Sequence, residues 1–380
     1  GVGLPTRSTV TKFKLPRATR PSHPKRMTLI WGLVAAVLII FLPYDWRSAI
    51  TVSLAAMIVA ASLYVLVGLA GQISLMQMAI VAMASLAMTR LAGDWGIPFP
   101  ISPILAVLAA TLFGVITGLF AFRLRGVELA VLTLAAAGAF ADVILNNQEF
   151  VRPIDMGQSI PAPAIFGLDI GPASTFPFGA GGTPSAWFGL FVLVVAIGCL
   201  SAAMWLRNNK LGLRFLAMRS NERAATALGV DLRVNKMTAI AISSAMAGVA
   251  GVVAGYTFGG LSASQYTAFA SLAIVAAAFL GGISMISGSM VAGLAATGGF
   301  FTITMNHVFH YGEVEIAVAA FFLILVAVQQ PEGIAGFNEQ AYYHLRDKVR
   351  AKMAARRNPS PTQTPPPSVP VTASAGAPPD

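Results

Sequence analysis

The chain has 380 residues, 56% of them hydrophobic and 11% charged, with a formal net charge of +10. Soluble domains carry about 25% charged residues, so a composition this apolar excludes an ordinary soluble enzyme and calls for lipid as the solvent. The positive charge does not point to nucleic acid, because the Lys and Arg residues flank apolar runs and are not interleaved with aromatics as a base-stacking surface requires.

A basic lead, residues 1–27, precedes the first apolar run, Thr28 to Tyr44. No small-residue cleavage site follows it, so it reads as a retained anchor and first span. Further apolar runs follow at Ile50 to Ala70, Met76 to Met88, Pro103 to Phe122, Val127 to Leu145 and Trp187 to Leu206. The remainder are Met237 to Thr257, Phe269 to Met285, Met290 to Met305 and Ile316 to Val328, and the run starting at Met76 is short enough to be part of a helix broken near Gly71. One crossing takes roughly 20 mostly apolar residues, so these runs predict an all-α, polytopic membrane helix bundle of about ten spans. Cys199, the one cysteine, lies inside an apolar run, so no disulfide within the chain is possible and its thiol reads as packing.

Charge placement tests the span count independently, since cytoplasmic connections hold the excess of Lys and Arg. With the N-terminus inside and ten crossings, only Arg47, Arg90 and Arg152 of the 25 basic residues fall outside. Asp94, Glu149, Asp155, Asp169, Glu313 and Glu315 all fall there too. Both termini are therefore expected in the cytoplasm, with a basic segment at 1–27, a transmembrane domain at 28–329 and a basic segment with a Pro-rich tail at 330–380. Beyond Asn358 the tail is Pro, Ser, Thr and Ala without apolar periodicity, a composition that predicts disorder.

Two connections are long. Outside, Asn146 to Ser185 is broken by Pro161, Pro163, Pro172, Pro177 and Pro184, which prevent a long helix and leave a surface that could receive a partner. Inside, Arg207 to Lys236 is charged yet has helical texture over Glu222 to Leu228, predicting a short helix against the membrane face.

No Lys follows a Gly anywhere, so the chain lacks the G-x-x-x-x-G-K-[ST] phosphate loop, and any ATP-driven motor must be a separate polypeptide. His307 and His310 form an H-x-x-H pair without a third ligand, and with Phe309 and Tyr311 they suit the headgroup level, so no metal site is predicted. Glu128 and Asp142 sit near the two ends of the fifth run, where interfacial pairing accounts for them. A proton-coupled carrier would keep a carboxylate or histidine near mid-membrane, and none is evident. Ser243, Ala247, Gly251 and Gly255 recur every four residues, placing small side chains on one helical face for close helix packing; the backbone so exposed could also line a narrow path. Gly281, Gly282 and Gly288 break the eighth and ninth spans apart near the inner side, as a tight turn or a re-entrant feature.

Several segments match one family. Gly68-Leu69-Ala70-Gly71-Gln72-Ile73-Ser74-Leu75 is similar to a G-x-x-G-Q-x-S-L segment, and Arg125 to Leu134 to an R-G-x-x-x-A-x-x-T-L run. Gly157, Ile160, Pro161, Pro163, Phe166 and Gly167 fit a G-x-x-x-I-P pattern ending in F-G, and Phe279 to Ser284 with Gly288 fits L-G-G-x-x-S-x-x-G. The strongest match is Leu211 to Arg214, Ala217 to Arg219, Asn221 to Ala225 and Ala227 to Gly229. In these residues the chain resembles the LivM-type permeases of branched-chain amino-acid ABC importers, over roughly Ile50 to Val328.

The resemblance implies ABC importer permease architecture in the inner membrane, with no catalysis and no cofactor on this chain. Arg219, Asn221, Glu222, Ala224, Ala225 and Gly229 would belong to a coupling helix docked into an ATPase, and Gln72, Ser74, Gln77 and Thr133 would line a translocation path. Implied partners are two cytoplasmic ATPase subunits carrying ATP and Mg, a homologous LivH-type permease and an extracytoplasmic binding protein. Met76-Gln77-Met78 departs from the Gly-His and small residues usual after Ser-Leu, and Glu222 to Gly229 is spaced one residue wider than the commonest pattern. The departures leave the solute open. A urea or short-amide permease of the same family, a secondary carrier or channel working without an ATPase, and a membrane scaffold remain as alternatives.

Overall fold

The computed structural model describes residues 24–121, 127–147, 150–151, 160–165, 168–172, 186–261, 265–309 and 334. These build twelve α-helices: α1 Pro24–Phe41, α2 Tyr44–Leu63, α3 Gln77–Met88, α4 Ile101–Ala121, α5 Val127–Phe140, α6 Trp187–Asn208, α7 Lys210–Ser220, α8 Glu222–Ala227, α9 Leu232–Phe258, α10 Ala268–Gly281, α11 Ile286–Leu294 and α12 Phe300–Phe309. Three of them run on into π-helical ends, at Tyr64–Leu69 after α2, Thr89–Asp94 after α3 and Ala141–Leu145 after α5. The wider turn shows in the bonds that close them, Trp95 N–H to the Arg90 carbonyl at 3.0 Å and Asn146 N–H to the Ala141 carbonyl at 2.9 Å, each spanning five residues. Among the described residues the only strands are β1 Ala164–Ile165 and β2 Leu168–Asp169, an antiparallel pair that sets Ala164 against Asp169.

Five of these helical stretches are long and apolar enough to cross a membrane: Tyr44–Leu69, Ile101–Phe120, Glu128–Leu145, Trp187–Asn208 and Leu232–Phe258. Ile30–Phe41 and Ala268–Gly281 are shorter apolar helices. The core forms where α2, α3, α4 and α9 pack on one another. In lipid, apolar side chains gain little by leaving the solvent, so helices associate through close packing at small residues. Gly251 of α9 shows this: a Cβ there would strike the Val81 carbonyl oxygen and lie 2.7 Å from the Ala84 Cβ on α3. Conversely α4 leaves Ile104, Leu108, Leu112 and Leu119 exposed along one side, a face that suits acyl chains.

Several boundaries differ from those the sequence predicts. The seventh span starts at Leu232, ahead of Met237, because the Asp231 carboxylate caps α9 by accepting from the Arg233 and Val234 N–H groups at 2.8 and 3.2 Å. The ninth span is two helices, α11 and α12, interrupted at Ala295 to Gly299, and the Arg207 to Lys236 connection holds α7 as well as the expected short helix. The chain between α2 and α3 is non-helical from Ala70 to Met76, in keeping with the expected break near Gly71. The predicted span Ile316 to Val328, the first residues of the basic lead and the Pro-rich tail lie outside the described residues.

Candidate functional site

The non-helical stretch Ala70–Met76 is set into the bundle. At Gly71 φ is +71°, a conformation that ends a helix and that glycine adopts without strain. Backbone freed from a helix at membrane depth must find partners within the protein. Hydroxyls supply them: the Leu75 N–H donates to Thr133 Oγ1 of α5 at 2.9 Å, and in the first turn of α3 that follows, the Met78 N–H donates to Ser271 Oγ of α10 at 3.2 Å. Gln77, fully buried, opens α3 and donates through Nε2 to Ser62 Oγ at 2.6 Å and to Ser243 Oγ at 2.9 Å. Ser243 Oγ in turn donates to the Ser62 carbonyl at 2.9 Å. Gln72 Nε2 and Gln77 Oε1 are buried without a hydrogen-bond partner among the described residues.

A second cluster joins this stretch to the charged connection. Helix α7 is amphipathic, burying Gly212, Phe215 and Met218 against the bundle. From its last turn Arg219 donates through one guanidinium nitrogen to the Gly68 carbonyl and through the other to Ser284 Oγ at 3.3 Å. Its stem crosses the glycine face, so that a Cβ at Gly71 would lie 2.9 Å from Arg219 Cγ, and a Cβ at Gly68 would strike the Ile283 carbonyl oxygen. Burial lowers the Arg219 pKa from its ordinary value, with the Tyr64 phenol acting in the opposite sense.

Helix α8 is short and held at both ends. The Asn221 side chain caps it by accepting from the Arg223 and Ala224 N–H groups at 3.0 and 3.2 Å. At the other end the Gly229 N–H bonds the Thr226 carbonyl at 2.9 Å and the Val230 N–H the Ala225 carbonyl at 3.0 Å, the paired bonds of a Schellman stop, with Gly229 at φ +80°. Glu222 pairs with Lys236 of α9 at 2.7 Å. Ala225 is the buried residue of α8, while Arg223, Ala224 and Ala227 face outward together with Leu228, which is 83% exposed.

Of the residues expected to act together, Arg219, Asn221, Glu222, Ala224, Ala225 and Gly229 all lie on α7, α8 and their flanks, but Arg219 points inward and away from the exposed face of α8. Gln72, Ser74, Gln77 and Thr133 gather at the non-helical stretch and are buried. Ser243, Ala247, Gly251 and Gly255 are buried along α9, with Gly255 set against Ser85 of α3. Ser62 and Ser271 are singled out by no sequence pattern, and Ser284 only as the last residue of the Phe279 to Ser284 segment. Ser62 and Ser271 are each a lone hydroxyl in an apolar run, and the one signal available is that such a residue buried among helices needs a partner. His307 stacks at a tilt on Trp46 with centroids 5.5 Å apart, and His310 lies outside the described residues. Among the described residues no three His, Cys, Asp or Glu side chains come together as a metal site would require.

The family described as branched-chain amino acid transport system, permease component, matches residues 47–328. The chain is 28% identical over 337 residues to the high-affinity branched-chain amino acid transport system permease protein LivM of Escherichia coli K12, covering 85% of this chain and 78% of that protein. It is 31% identical over 146 residues to LivH of the same organism, covering 38% of this chain and 46% of LivH. It is also 26% identical over 271 residues to the autoinducer 2 import system permease protein LsrC of Salmonella typhimurium, covering 68% and 70%. No solved structure matches the chain.

Proposed function

The chain belongs to the family of permease components of branched-chain amino acid transport systems, and from that premise we propose that it is the membrane-spanning permease subunit of an ATP-driven importer for branched-chain or related small amino acids. It is a multi-pass membrane protein. In this reading it sits in the inner membrane with about ten spans, both termini cytoplasmic, as the bias of Lys and Arg favours. A LivH-type permease pairs with it, two cytoplasmic ATPases carrying ATP and Mg drive it, and an extracytoplasmic binding protein delivers the solute.

The observation that carries the reading is the build of α8. A helix of six residues is too short to persist by propensity. Here both caps are filled and the Glu222–Lys236 pair ties it to α9, while most of its surface is left uncovered. That combination suits a rigid contact for a cytoplasmic partner, where the small side chain of Ala224 permits close approach and Arg223 orients the encounter. Nucleotide binding would move α8, and the permease pair would rock to open the path alternately. The solute would pass the non-helical stretch, where Gln72 Nε2 and Gln77 Oε1, a donor and an acceptor without a partner among the described residues, suit a small solute carrying its own donors and acceptors.

The test is copurification and transport. Replacing Glu222 and Gly229 together is expected to release the ATPase and abolish uptake while the chain still folds and inserts. Full uptake by the double variant would overturn the coupling role of α8, and uptake by the chain alone, driven by an ion gradient and indifferent to ATP, would overturn the importer reading.

A further inference from the structure

We propose that Arg219 is a positioning residue that carries displacement of α7 and α8 into the non-helical stretch Ala70–Met76 and the turn Gly282–Met285. The inference rests on the reading of α8 as the contact for an ATPase, and adds how a push arriving there reaches the membrane interior.

Arg219 stands two residues before the cap of α8, so it cannot stay still if α8 moves as a unit. Its guanidinium bridges two segments far away in sequence, the Gly68 carbonyl 151 positions before it and Ser284 65 positions after it. Carbonyls in the last turn of a helix lack intrahelical donors, and a cation there also complements the helix dipole. The side chain lies flat on Gly71, and the Gly282–Met285 turn presses on Gly68 so closely that neither glycine has room for a Cβ. Arg219 is thus a strut in contact along its length, touching both segments at backbone or near-backbone atoms.

The chemistry of the contact suits movement. Both hydrogen-bond acceptors are neutral, and Arg219 itself is only partly buried. Breaking the bridge leaves no carboxylate stranded, and the guanidinium can turn to water. The two segments it holds lead onward to different helices: Leu75 to α5, the start of α3 that follows it to α2 and α9 through Gln77 and to α10 through Met78, and Ser284 to the junction of α10 and α11.

The test uses the complete transporter, with permease pair, ATPases and binding protein, in proteoliposomes, reading radiolabelled leucine import and ATP hydrolysis in the same vesicles. Arg219→Lys keeps the charge and most of the stem but cannot span both acceptors, and Ser284→Ala removes one acceptor with minimal disturbance to folding. We expect both variants to retain bound ATPase and to consume more ATP per leucine imported, by about threefold or more for Arg219→Lys and less for Ser284→Ala. An unchanged ratio in both, with import and hydrolysis falling together or not at all, would overturn the proposal by making Arg219 a folding contact only. Loss of the ATPase from Arg219→Lys would also overturn it, by placing Arg219 in the docking face. Failure of the underlying reading looks different: the ATPase would stay bound when Glu222 and Gly229 are replaced.

Discussion

Gln77 and Ser243, 166 positions apart in the chain, share a hydrogen bond of 2.9 Å at a point where neither side chain meets solvent. With Ser62 they close a ring that ties α2, α3 and α9 together where α3 begins. An apolar residue in place of Gln77 would leave two serines without this donor, and the lost bonds should destabilise the fold by about 1–3 kcal/mol. Thermal unfolding of Gln77→Leu in detergent measures this. An unshifted melting temperature would mean that the ring contributes nothing to holding α3.

The packing at Gly251 predicts a change of sign between two glycines. Gly251→Ala drives a methyl into the Val81 carbonyl and should destabilise by about 1–3 kcal/mol. A Cβ at Gly138 of α5 would meet nothing within 4 Å, so Gly138→Ala should be neutral or stabilise by up to about 1 kcal/mol through helix propensity. Equal melting shifts for the two variants would contradict the close approach of α9 to α3.

Both ends of α8 can be loosened separately from the bundle. Asn221→Ala removes the cap, costing about 1 kcal/mol, and Gly229→Ala forces a left-handed conformation costing about 1–2 kcal/mol. The space around Gly229 is open for 4 Å from a Cβ position, so no clash confuses the second measurement. Hydrogen exchange of amides in residues 223–230 should accelerate in each variant while global melting stays put. Protection equal to that of the unaltered chain would show that the caps do not set the order of α8.

Sidedness is open to direct chemical reading because Cys199 is the one thiol in the sequence. In a Cys199→Ala background, a cysteine replacing Leu228 should react with an impermeant maleimide only from the cytoplasmic side, and one replacing Asn146 only from the other side. The reverse pattern would invert the topology.

Much of this protein can be read from local composition. Apolar runs of crossing length, the siting of Lys and Arg and the absence of a phosphate loop are properties of neighbouring residues, and each residue adds its share to lipid partitioning without regard to distant partners. For the same reason the short helix over Glu222 to Leu228 is legible, since Asn221 and Gly229 mark its ends within the chain itself. Gln77 stands out as a polar residue in an apolar region, but its amide bonds Ser62 and Ser243 from separate helices, and no local pattern records such a pairing.

What the sequence determined alone, then, is a membrane-embedded helical chain of this permease family with a charged connection bearing a capped helix. Tertiary structure alone decided that Arg219 turns inward to Gly68 and Ser284, and that a hydroxyl of α5 bonds the backbone of the non-helical stretch and one of α10 the first turn of α3. The reason is physical: partition into lipid sums over residues near one another in the chain, whereas a hydrogen bond or a helix contact exists only when folding brings distant atoms within about 3–4 Å.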